Sequence, residues 1–175
     1  MRKLIVLTAA AALLASPACK RKRHPNPMAT IEEESPLAST VPVADPAASS
    51  QLLSGFHAVE QNAWRWSARK FSVSLAVPKE AAARGANLQL VLTLPEAVAG
   101  SMLGVTVQPS VGGRTLEPYR VTKTGEQTAS FDVPKELLNT PAVIAEFELD
   151  KVVAPREGES RELGLVVAQV SLVAK

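Results

Sequence analysis

Ala86-Asn-Leu-Gln-Leu-Val-Leu-Thr-Leu94 places a leucine at every second position from Leu88 to Leu94. A period of two puts all four leucines on one face of an extended chain, as in a strand with one side in a core. Glu146, Glu148 and Asp150 alternate with Phe147 and Leu149 in the same way. Outward from these two stretches, strand-like runs cover 63–77, 103–108, 128–133 and 162–173, punctuated by Pro and Gly. Short alternating runs at this spacing predict an all-β fold, a single jelly-roll-like β-sandwich over residues 51–175. That is about 125 residues, an ordinary single-domain size with enough chain for a core.

Two of the runs change parity. Trp64, Trp66 and Ala68 occupy one face, whereas Phe71, Val73, Leu75 and Val77 occupy the other. A bulge near Arg69-Lys70, or a strand crossing between sheets, restores a common core face. The last run shifts from Leu163, Leu165 and Val167 to Val170 and Leu172. A bulge accounts for this shift, and so does a central strand buried on both sides. Val-Pro-Lys-Glu occurs at 77–80 and again at 133–136, each time after a strand run, which predicts a short helix or turn at both places. Ser110-Val-Gly-Gly-Arg114 reads as a hairpin turn, since it lacks the Gly-Lys-Ser/Thr ending of a phosphate loop.

Charge divides the chain of 175 residues unevenly. Six of its 19 basic and four of its 17 acidic residues lie in residues 1–50, leaving 13 of each in residues 51–175. A neutral body has no electrostatic footprint for a phosphate backbone, so nucleic acid is excluded as a partner of the folded part. One Cys and two His residues provide no disulfide and no thiolate or imidazole cluster, so neither a metal site nor a cofactor is expected.

Residues 1–18 have the form of a signal peptide: Arg2 and Lys3, then the uncharged run Leu4–Ala18, with Ser16-Pro17-Ala18 before Cys19. With the lone cysteine at the cleavage point, this segment resembles a bacterial lipoprotein signal, although Ser16 stands where that signal usually has Leu. The resemblance implies lipidation of Cys19 and a protein exported and membrane-anchored in the cell envelope, facing the periplasm or the cell surface. The alternatives are ordinary secretion without a lipid and an uncleaved membrane helix, which at about 22 Å falls short of the roughly 30 Å of bilayer hydrocarbon. Residues 19–50 contain Pro25, Pro27, Pro36, Pro42 and Pro46 and no aromatic residue, the composition of a disordered tether.

Enzymatic signatures are sparse. The serine of Gly100-Ser101-Met-Leu-Gly104 is one place too early for a nucleophile elbow. Carboxylates two apart, as in Glu146, Glu148 and Asp150, form a solvated face more readily than a hydrolytic pair. The chain is therefore read as non-catalytic, with no metal and no cofactor.

The densest constellation is Gly55-Phe-His-Ala-Val-Glu60, then Ala63-Trp-Arg-Trp-Ser67, with Arg161-Glu-Leu-Gly-Leu165 near the other end. Here the sequence resembles the galactose-binding-like β-sandwich modules appended to bacterial glycosyltransferases. The resemblance implies a jelly-roll fold and carbohydrate association, and no catalytic residue. Trp64 and Trp66 share a strand face and would offer a flat platform for sugar rings, with Arg65, Glu60, Arg161 and Glu162 hydrogen-bonding the hydroxyls. Alternatively, both tryptophans anchor the core while the four charged residues clamp the first and last strands together. A glycan and an envelope-protein partner are the two expected occupants, the second making the chain an assembly subunit of an envelope complex with no sugar site.

Overall fold

The computed structural model describes residues 37–175; the signal segment, Cys19 and the tether as far as residue 36 lie outside the described residues. The described chain is all-β and antiparallel. Its strands are β1 (Thr40–Pro42), β2 (Leu52–Glu60), β3 (Trp64–Ala76), β4 (Ala86–Leu94), β5 (Thr106–Val111), β6 (Arg114–Thr115), β7 (Tyr119–Arg120), β8 (Gly125–Val133), β9 (Ala142–Leu149) and β10 (Val166–Ala174). The strand order is β6-β5-β9-β3-β10-β4-β8, with β1 on β10, β2 on β3 and β7 on β5.

This path curls so that its two halves face each other. Phe147 on β9 stacks on Phe71 of neighbouring β3 at 4.8 Å, and it also lies 6.2 Å from Phe131 on β8, four places along the strand order. Tyr119 on β7 meets Phe131 edge to face and hydrogen-bonds Gln127 through its hydroxyl, joining the two ends of the path. Leu88, Leu90, Leu92 and Leu94 are fully buried between the halves, as the alternation predicts. Each contributes about 1.5–3 kcal/mol relative to an exposed side chain.

Both parity shifts have local causes. β3 passes between the halves: Arg65 and Trp66 pair with Val167 and Val166 of β10, while Lys70–Ala76 pair with β9. Ser67, Phe71, Val73 and Leu75 are all buried on one parity, so β3 needs no bulge of its own. Its register irregularities fall on β2, where Gly55 has φ +75°. In β10 the register with β4 slips between Val167 and Gln169, and Ala168 is left to accept a hydrogen bond from the Val43 amide. β10 also lies between β1 and β4, with Ser171 buried as well as Leu172, so bulge and central position act together.

The two Val-Pro-Lys-Glu segments end β3 and β8 and run into α1 (Ala81–Arg84) and a 3-10 turn (Lys135–Leu137), which pack on each other. The Gly112-Gly113 pair, with φ +56° and +80°, closes the expected hairpin between β5 and β6. β5 begins at Thr106 and not at Leu103, because α2 (Glu96–Met102) takes the chain up to that point.

The sequence boundary between tether and domain requires correction. Residues 37–50 are not a disordered tether: Val41 pairs with Val170, and Val41 and Val43 are fully buried. Asp45 then caps a 3-10 helix (Pro46–Gln51), its Oδ1 accepting from the Ala47 amide at 2.9 Å. The side chain of Gln51 binds both backbone groups of Ala38 and the carbonyl of Ser74. Proline content misleads here because Pro is compatible with an edge strand and with the first turn of a helix.

Candidate functional site

The motif residues converge, and His57, Arg65, Arg161 and Glu162 bond to the protein's own carbonyls, amides and carboxylates. His57 on β2 donates from Nε2 to the Glu162 carbonyl at 2.7 Å. Arg65 donates to the carbonyls of Val43 at 2.7 Å and His57 at 2.9 Å. Glu162 accepts the Arg69 amide at 3.0 Å. Arg161 grips Glu60 at 2.9 Å with one nitrogen and holds both oxygens of Glu159 with the others. This bidentate pair draws the Glu159 carboxyl down from its ordinary 4.5 to about 2, chiefly through the Arg161 side-chain hydrogen bonds, and raises the Arg161 guanidinium above its ordinary range.

The glycines of the motif are dictated by packing. A Cβ on Gly164 would meet Ser67 Oγ at 2.5 Å and the Ala68 carbonyl at 2.9 Å. A Cβ on Gly55 would run into the backbone of Lys70. Phe56, between them in the motif, packs edge to face on Phe71 at 5.4 Å. The constellation therefore fastens the β2–β3 hairpin to the 153–165 loop. That loop is itself closed by the Val153–Leu163 and Arg156–Glu159 bridges.

The aromatic platform is corrected as well. Trp64 and Trp66 are half-buried, and their rings meet edge to face with an interplanar angle of 85°. Perpendicular rings cannot present one flat stacking surface. Trp66 packs against the edge of the core, and Trp64, paired with Glu60 across the β2–β3 hairpin, sits against it at the clamp end of β3.

A different face of the molecule collects outward-pointing polar groups. The pairing register places Ser54 of β2 beside Ser72 of β3, Ser72 beside Glu146 of β9, Glu146 beside Ser110 of β5, and Ser110 beside Thr115 of β6. Five strands thus contribute one continuous row, hydroxyl–hydroxyl–carboxylate–hydroxyl–hydroxyl. At roughly 4.8 Å per strand the row is about 19 Å long. A second row, Lys70–Glu148–Gln108, lies beside it. Together they line an open groove of about 370 Å³.

The internal bonds of the groove are few. Ser54 Oγ and Ser72 Oγ lie 2.8 Å apart, the Ser110 hydroxyl donates to Glu146 at 3.3 Å, and Lys70 pairs with Glu148 at 3.1 Å. The sequence singled out Glu146 and Glu148, but not the serines and threonine that join them. Those residues come from segments up to about 90 positions apart and become neighbours only through strand register.

No family model matches the chain, and no curated protein matches it. Among solved structures, it is similar to a glycoside hydrolase family 43 arabinoxylan arabinofuranohydrolase from Bacillus subtilis, solved in complex with cellotetraose. The identity is 10%, the TM-score is 0.41, and the match covers 78% of this chain and 24% of that one. The chain thus spans about a quarter of the length of that enzyme.

Proposed function

We propose that this chain is a non-catalytic, lipid-anchored binding module of the bacterial cell envelope, with a jelly-roll-like sandwich that takes a glycan across the outer face of β2, β3, β9, β5 and β6. The observation that carries the proposal is the row Ser54–Ser72–Glu146–Ser110–Thr115. Hydroxyls both donate and accept, so a strip of them complements a polyhydroxylated chain better than it does an apolar or planar ligand. An oligosaccharide laid across the strands meets one polar side chain per strand. Without a stacking ring in the groove, binding rests on hydrogen bonds of about 0.5–1.5 kcal/mol each, which favours weak, multipoint attachment to a polymer. Anchoring through Cys19 is supported by the sequence alone, as is the non-catalytic assignment.

The test is retardation of the full chain in gels containing soluble polysaccharides, repeated with Ser72→Tyr. Tyrosine suits an outward strand position and blocks the row at the strand next to the central Glu146, so retardation should vanish with the melting temperature unchanged. Retardation that survives Ser72→Tyr would remove the groove from consideration.

A second reading, an assembly subunit, is favoured by β8. This nine-residue strand pairs with β4 along one side, and it has no other strand partner among the described residues. A regular open edge of that length is a site for strand addition by another protein.

A further inference from the structure

We infer, building on the groove reading above, that the glycan preferred there carries free amino groups, as a deacetylated amino-sugar chain does. Glu146 stands at the centre of the five-strand row, flanked by Ser72 and Ser110. Its one side-chain hydrogen bond among the described residues is from the Ser110 hydroxyl at 3.3 Å, and it forms no ion pair among them. Glu148, two residues on, is already neutralised by Lys70 at 3.1 Å. The groove therefore has one uncompensated charge, negative and exposed, midway along its length.

An ammonium opposite Glu146 gains a charge-assisted hydrogen bond, whereas a uronate or sulfate meets a like charge. The repeat of the polymer strengthens the argument. A row about 19 Å long takes several sugar units, so an amine on every unit reaches the central carboxylate in any register along the chain.

Binding of the full chain to a chitosan hexamer and to its N-acetylated counterpart, in mildly acidic buffer that keeps the sugar amines protonated, tests the inference. The deacetylated hexamer should bind about fivefold tighter at low salt, the difference between a hydrogen bond to a charged group and a neutral one. Glu146→Gln should erase the preference while retaining the acetylated hexamer, and Glu126→Gln, at an exposed carboxylate on β8 outside the groove, should leave the preference in place. Both positions are exposed, so melting temperatures should stay level and report folding independently.

Equal binding of the two hexamers, abolished by Ser72→Tyr, would overturn the amine preference and leave the groove standing. A preference that survives Glu146→Gln would assign it to diffuse charge and overturn the inference. Failure of both hexamers to bind would sink the inference; whether the groove itself falls would then be decided by the polysaccharide gels.

Discussion

At the scale of single residues, the motif reports architecture. Gly164 lies against Ser67, Leu149 and Ala68 with no room for a methyl group. Gly164→Ala should therefore cost about 1–3 kcal/mol, read as a fall in the urea midpoint at constant slope. Glu159 gives the clamp a pH dependence of definite sign. Its folded-state carboxyl is depressed to about 2 from an ordinary 4.5, so its contribution is complete above about pH 4.5 and is lost as pH falls through 2. Tryptophan fluorescence, followed through an acid titration, should show a step in that window, and Glu159→Gln should remove it. The sequence made Glu60, Arg161 and Glu162 conspicuous because charged residues among aromatics look like a ligand site. It could not show that Glu159 and the carbonyls of Val43, His57 and Leu149 already hold the arginines: the Val43 and Leu149 contacts span 22 and 80 positions, and the His57 and Glu159 contacts depend on how the β2–β3 hairpin and the 153–165 loop turn.

At the scale of elements, legibility followed burial on one face. β4 was readable to the residue because Leu88–Leu94 alternate strictly against a core. β2 was not, because its irregular register leaves a burial pattern with no period. β1 was hidden by proline composition, although Val41 and Val43 bury as fully as any leucine. This yields a direct prediction about the domain limit. A fragment comprising residues 51–175 loses two buried valines worth about 1.5–3 kcal/mol each and uncovers one side of β10. It should melt well below a fragment beginning at residue 35. Equal melting temperatures would place β1 outside the cooperative unit.

At the scale of the whole molecule, β3 is the axis. Its 13 residues run about 43 Å, from Trp64 in the clamp to Ala76, whose amide binds the Ala38 carbonyl beside the point where the described chain begins. Along β3 the clamp, at Trp64 and Arg65, and the groove, around Lys70 and Ser72, occupy different stretches. This separation makes the two candidate surfaces distinguishable in one experiment. Amide and indole NMR shifts of the full chain, followed during titration with a soluble polysaccharide that it binds, locate the contact without a mutation. The expected result is a set of shifts confined to Ser54, Ser72, Ser110, Thr115 and Glu146, with the indole signals of Trp64 and Trp66 unmoved. Shifts centred on the two indoles, with the Glu146 row silent, would contradict the assignment of the groove as the binding face.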